Sequence, residues 1–172
     1  SLSIRIGLLT AGVSAILALV LGLAAATLGR RTDAVISWLI DLTMGVPHIL
    51  LVMLIALAFG RGLTGVVAGV ALSHWPSLAR VIRGEVIQLR QAPYILTAGK
   101  LGVSRWRVIQ RHMLPHLLPQ FVVGLVLQFP HAILHEAGIT FLGFGLPPEQ
   151  PAIGVILSES MRYLTTGRWW LA

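Results

Sequence analysis

Two histidines four residues apart, His131 and His135, sit inside an otherwise apolar run and are the residues best placed to do chemistry. On a helix this spacing puts both imidazoles on one face, and Gln128 extends the same polar stripe. Neutral imidazole suits nickel, copper and zinc, so the pair can share a metal ion. Glu136 follows directly but points about 100° from His135 on an ideal helix, so it is not automatically a third ligand. In an earlier apolar run Asp41, Met44 and His48 share a helical face by the same arithmetic. Ionisable groups inside a membrane span are costly and mark pathways. Gln128, His131, His135, Asp41 and His48 are therefore the candidate translocation or metal contacts. The plainer reading gives each histidine a neighbouring carbonyl or hydroxyl, a contact that averages under about 1 kcal/mol. His112 and His116 repeat the spacing, but Pro115 lies between them and they flank a loop, so that pair reads as structural.

Other chemistries are poorly supported. With no cysteine among 172 residues, disulfides, thiolate metal sites and cysteine nucleophiles are excluded. "HAILHE" has the histidine spacing of a zincin, but Ala132 stands where that motif needs its glutamate general base. An intramembrane metalloenzyme is thus a remote alternative. No G-x-x-x-x-G-K-[ST] phosphate loop is present, and the single lysine, in "TAGKLG", lacks the upstream glycine. The chain is not expected to be an enzyme, to hydrolyse ATP or to bind a cofactor itself; ATP and Mg2+ would belong to partner subunits.

The elements that must position these groups read as membrane helices. Hydrophobic residues make up 56% of the chain and charged ones 11%, against about a quarter charged in soluble domains. The net charge of +7 then reflects membrane topology rather than nucleic-acid binding. A crossing needs about 20 apolar residues, and four candidates cover 6–28, 34–59, 63–79 and 113–135. The first lacks a basic n-region ahead of it and is too long for the core of a cleavable signal. Arg30 and Arg31 follow the first span, and seven further cations crowd the loop 80–112 between the third and fourth. The positive-inside rule puts that loop in the cytoplasm. Residues 136–171 mix Gly, Pro, aromatics and hydroxyls and read as an extracytoplasmic re-entrant or interfacial segment, folded as a loop rather than a span. Its "RWW" suits a membrane–water boundary. Pro47 and Pro130 are expected to kink their helices, and Gly7, Gly12 and Gly22 to permit close helix approach.

Within the basic loop, Pro93 suits a helix start and Gly102 a helix end, and Ser104 can cap a second short helix. Two short amphipathic helices result, which suit either an anionic lipid surface or a groove on a partner protein.

The order Ala98, Gly102, Met113-Leu114-Pro115 resembles the cytoplasmic "EAA" loop of the membrane subunits of binding-protein-dependent ABC importers. That pattern is E-A-A, three residues, G, nine residues, I-x-L-P. Here the triplet falls on Leu96, Thr97 and Ala98, and His112 replaces Ile, so the spacing holds while the carboxylate is lost. "SLSIRIGLL", "DLTMGVPHILLVMLIALAFG" and "EAGITFLGFGLPPEQPAIGVILSES" resemble the peptide and nickel branch of these permeases, and "PHAILHEAGITFLGFG" is closer to the nickel type. The resemblance spans essentially the whole chain.

The resemblance implies an all-α fold, a polytopic transmembrane bundle of the MetI-like permease type with a cytoplasmic coupling-helix loop. Residues 1–172 would be one permease domain lacking a helix at each end. It also implies an inner-membrane location, a homologous second permease subunit, two cytoplasmic ATPases and an extracytoplasmic binding protein, with lipid around them and no nucleic acid. ATP-driven closure of the ATPases would flip the paired permeases by alternating access. Arg90, Tyr94, Leu96, Thr97, Ala98, Lys100, Gly102 and Arg105 are the expected ATPase-coupling residues. Nickel, free or chelated, is the first expected cargo and di- or oligopeptides the alternative. A passive channel is a further remote alternative, one that would keep working without residues 94–107.

Overall fold

The computed structural model describes residues 2–167 and Trp170, and among these it is helical with no strand. The helices are α1 (Leu2–Thr27), α2 (Arg30–Gly45), α3 (His48–Ala58), α4 (Leu63–Arg90), α5 (Pro93–Lys100), α6 (Arg105–Val108), α7 (Leu114–Phe141) and α8 (Ile153–Thr165). A π-turn over Ile109–Met113 joins α6 to α7, so one helical run of 37 residues extends from Arg105 to Phe141. α1, α4 and this run are long and apolar enough to cross a bilayer, and the pair α2–α3 makes a fourth crossing if counted as one.

α1 is apolar on every side because one side meets lipid and the other meets protein. Its protein side is a stripe of small residues, among them Ser3, Gly7, Ala11, Ser14, Ala15, Ala18, Gly22 and Ala25, all buried. Leu8, Leu9, Val13, Ile16 and Val20 point outward. Without a hydrophobic drive between helices in lipid, small residues bring backbones into contact, and α1 packs along both α4 and α7. A Cβ on Gly22 would lie 2.7 Å from the Ala79 carbonyl oxygen, and one on Gly7 2.7 Å from Ile133 Cγ1. Gly12 differs from expectation: nothing lies within 4 Å, because it faces away from both partners.

The crossing expected over 34–59 is not one helix. α2 and α3 meet at 103°. Pro47 forces its predecessor out of the helical region, and Val46 (φ −92, ψ 137) and Pro47 (φ −52, ψ 121) are two successive non-helical residues. The face expected to join Asp41, Met44 and His48 is therefore divided, with His48 opening α3. Pro130, by contrast, lies within a continuous α7.

Two other boundaries differ from the sequence reading. The third crossing does not end at Ala79 but continues as α4 to Arg90, absorbing Pro76. Arg80 and Arg83 change the solvent the helix meets, not its backbone, and the stop comes at Ala92 (ψ 137), ahead of Pro93. The fourth runs past His135 to Phe141, where Gly143 (φ +82) turns the chain. The Gly143 and Phe144 amides donate to the Thr140 and Ile139 carbonyls, closing that helix end. Residues expected to form a loop thereafter include the 13-residue α8, which is too short to cross. In the "RWW" reading, Arg168 and Trp169 lie outside the described residues.

The two ends of the bundle differ in chemistry. Arg90 donates to the Ala26 carbonyl, tying the ends of α4 and α1, and Arg83 pairs with Asp33 of α2 through two hydrogen bonds. At the opposite end the Ile153 amide of α8 donates to Ser3 Oγ of α1. Both side chains of the Asp33–Arg83 pair are 29% exposed. Arg83→Met should cost on the order of 1 kcal/mol, and adding Asp33→Asn should recover part of it. Thermal unfolding of the full-length protein in detergent, read as a double-mutant cycle, checks this; strict additivity would show the pair to be energetically idle.

Candidate functional site: a three-histidine cavity at the helix break

The break between α2 and α3 opens onto a cavity of ≈ 830 Å³ whose walls come from α2, α3, α4 and α7. Its lining is mostly apolar, with Thr43, Ser73, Ser77, Gln120 and Gln128 as polar points and the imidazoles of His48, His74, His131 and His135. Discontinuous helices whose freed backbone lines a cavity are a recurrent way for membrane proteins to build a site at mid-depth.

Three of the imidazoles form a cluster. Ring centroids are 4.5 Å apart for His48–His74, 4.4 Å for His48–His135 and 4.9 Å for His74–His135, all edge-to-face. One ring nitrogen from each lies within 4.8 Å of the other two. Each comes from a different helix: His48 from the first residue of α3, His74 from the middle of α4 and His135 from α7.

The hydrogen bonds fix two of the tautomers. His74 Nδ1 lies 2.8 Å from the Val70 carbonyl oxygen, and His135 Nδ1 lies 2.7 Å from the His131 carbonyl oxygen. A carbonyl only accepts, so both Nδ1 atoms carry hydrogen and both Nε2 atoms keep a free lone pair in the neutral ring. The Ser73 hydroxyl sits 3.1 Å from His74 Nδ1 and also reaches the Val70 carbonyl. His48 Nδ1 and His74 Nε2 are buried with no hydrogen-bond partner among the described residues. Gln128 braces the wall: its Nε2 donates to the His74 carbonyl at 3.2 Å, joining α7 to α4, while its Oε1 is buried with no partner among the described residues.

The cluster regroups the residues expected from sequence. His48 and His135 belong to it and Gln128 stands beside it. His131 lines the same cavity but is exposed, its Nδ1 bonding the Leu127 carbonyl at 2.8 Å, and it is not one of the three. Asp41 does not line the cavity; it is exposed on α2 and paired with Arg80. Glu136 is fully buried on another side of α7, accepting from the Thr140 hydroxyl at 3.0 Å. His74 is the residue sequence reasoning missed as a site. An ionisable group inside an apolar span is itself the signal that could have found it.

The expected coupling residues sit at the end of the bundle where α4 stops. α5 opens with Pro93 and closes at Gly102 (φ +80), and Ser104 Oγ accepts from the Arg107 amide. Ile95, Val108 and Ile109 are buried against the bundle, with Ala98 partly buried beside them. Tyr94, Leu96, Thr97, Lys100, Gly102 and Arg105 are exposed, and the Tyr94 ring packs 5.9 Å from that of His112. The Arg90 guanidinium is committed to the end of α1.

Comparison with known proteins agrees with this architecture. Over residues 18–171 the chain matches the family described as the binding-protein-dependent transport system inner membrane component. It is 37% identical over 169 residues to a putative peptide transport system permease protein of Brucella suis biovar 1, covering 98% of this chain and 56% of that one. It is 27% identical over 169 residues to the dipeptide transport system permease protein DppC of Bacillus subtilis, covering 98% and 53%. To the oligopeptide transport system permease protein OppC of the same organism it is 29% identical over 168 residues, covering 98% and 55%. The chain thus spans about half the length of these relatives. All three are named as peptide, dipeptide or oligopeptide permeases. Its all-helical fold, its apolar spans and this match over most of its length make the chain a multi-pass membrane protein of the binding-protein-dependent importer permease family.

Proposed function

We propose that this chain is the core of one membrane subunit of an ATP-driven importer that carries di- or oligopeptides inward by alternating access. The observation that carries this reading is the cavity at the α2–α3 break. At ≈ 830 Å³ it falls in the size range of small-molecule sites, about 300–1,000 Å³, and has their character of apolar walls with a few polar points. The names of the relatives support the cargo class. Partners follow from the same reading: a second permease subunit, two ATPases that bind ATP and Mg2+, and an extracytoplasmic binding protein. The 80–112 region would be the cytoplasmic coupling loop and 136–171 the extracytoplasmic segment. The test is ATP-dependent uptake of a labelled dipeptide by the full-length permease with its partners in proteoliposomes. Uptake should require ATP and the binding protein. Peptide flux without ATP would make the protein a channel and overturn the reading.

A second cargo, nickel free or chelated, is favoured by one specific observation, the cluster of imidazoles in that cavity. The same proteoliposomes loaded with radioactive nickel separate the two. ATP-driven nickel uptake with no peptide uptake would replace the first reading by the second.

A further inference from the structure

We infer that His48, His74 and His135 form a binding site for a divalent transition-metal cation of the nickel, copper or zinc class, open on one side to the cavity. Three observations carry it. The first is convergence: three helices deliver one imidazole each to a single point, with a ring nitrogen of each within 4.8 Å of the others. An accidental polar contact between helices needs one partner, not three. The second is orientation. A metal-binding histidine ordinarily donates its other N–H to a carbonyl or carboxylate, which fixes the tautomer and aims the lone pair. The carbonyls of Val70 and His131 do this for His74 and His135. The third is the otherwise unexplained cost of the arrangement. His74 Nε2 and His48 Nδ1 are buried without partners among the described residues, and such atoms carry a desolvation penalty that a ligand would relieve.

The geometry is close to that required. A metal roughly 2.0–2.1 Å from three nitrogens holds them about 3.3–3.6 Å apart, so small side-chain rotations close the cluster. Three neutral imidazoles with open positions towards a cavity leave room for water or for donors brought by a cargo. No cysteine competes to make the site one for soft monovalent copper, and no carboxylate belongs to the group to favour calcium or magnesium. The site gives the nickel reading its point of contact, but it stands apart from either cargo, since metal content and uptake are separate measurements.

The experiment is a Ni2+ titration of the assembled importer, with full-length permease in nanodiscs, against a chromophoric chelator, with metal counted after dialysis. The expected result is one nickel per copy of this permease. Loss of an orienting partner alone typically weakens a metal site about 10–100-fold. Each of His48→Gln, His74→Gln and His135→Gln should therefore weaken binding at least about tenfold, while His116→Gln changes it less than about twofold. X-ray absorption of the wild type should show imidazole scattering. If His74→Gln fails to assemble, His48→Gln and His135→Gln decide the matter, and the ATPase rate of each complex reports its integrity. Absence of stoichiometric nickel in the wild type overturns the proposal. So does nickel that persists in the His48→Gln/His135→Gln double variant, or nickel lost on His131→Gln but not on His48→Gln. None of these results bears on peptide uptake, which tests the transport reading by itself.

Discussion

Gly22→Val should strongly destabilise the membrane core, costing about 1–3 kcal/mol or more and depleting folded protein from the membrane. The reason lies in what the new Cβ meets. It would stand 2.7 Å from the Ala79 carbonyl oxygen and 2.9 Å from Ile82 Cβ. Neither atom can swing aside, because one is backbone in the middle of α4 and the other is the branch point of a fully buried side chain. α1 and α4 must therefore separate along their contact, and overpacking of this kind costs about 1–3 kcal/mol or more. In lipid the lost packing is not offset by any hydrophobic drive between the helices. Gly7→Val should cost less, since its nearest obstacles are the side chains of Ile133 and Phe129, which can rotate. Gly12→Val, with nothing within 4 Å, should be near neutral. Thermal unfolding of the three variants in detergent gives the ranking. Equal behaviour of Gly22→Val and Gly12→Val would mean that α1 does not pack on α4 in this register.

How far this was legible in the sequence depends on the range over which each feature is determined. The start of α5 at Pro93, its end at Gly102 and the Ser104 cap are local, set by residues within a turn of where they act. These could be read directly. The overrun of α4 was not readable from backbone signals alone, because Trp75-Pro76 carries the same signal as Ala92-Pro93, yet the helix absorbs the first and stops at the second. Giving Arg80 and Arg83 the power to end a helix confused the edge of the apolar layer with the edge of the element. Gly12 shows the limit of composition: three glycines on one helix look alike until the angular positions of the neighbouring helices are known.

The site was legible in type but not in membership. A single helix makes His131 and His135 neighbours, and sequence spacing can propose nothing else. In the fold, His135 turns to His48 and His74, which lie 87 and 61 residues away in sequence (135 − 48 and 135 − 74), while His131 lines the same cavity without joining them. That grouping needs the 103° turn at Val46-Pro47, which brings the start of α3 against α4 and α7. Proline marks where a helix breaks, but the size of the turn is fixed by what the second half packs against. The same turn separated Asp41 from His48 and left it to pair with Arg80.

Replacing Leu101 and Trp106 by glutamate should abolish coupling, lowering ATP-dependent uptake at least about tenfold, while the permease stays folded in the membrane. The loop is two-sided. Ile95, Val108 and Ile109 hold it to the bundle at 7–9% exposure, whereas Leu101 is 78% and Trp106 65% exposed. Burial on one side fixes the position of the other, so the exposed apolar groups are presented on a rigid mount rather than on a mobile loop. Lys100, Arg105 and Arg107 are exposed among them. Such a surface fits a groove on an ATPase with apolar floor and acidic rim, and it also fits anionic lipid. The two occupants respond differently to the variant. Apolar anchors at a protein interface are worth about 2 kcal/mol or more each, a factor of roughly 30 in affinity, so loss of two should release the ATPase on purification. A lipid-facing loop would lose membrane contact yet keep its ATPase and its uptake. Co-purification of the ATPase with the variant, read beside uptake, decides between them, because only docking links the two losses. Lys100→Gln with Arg105→Gln sharpens the distinction. Rim charges mainly set association rate and salt dependence, so that pair should slow assembly without abolishing it.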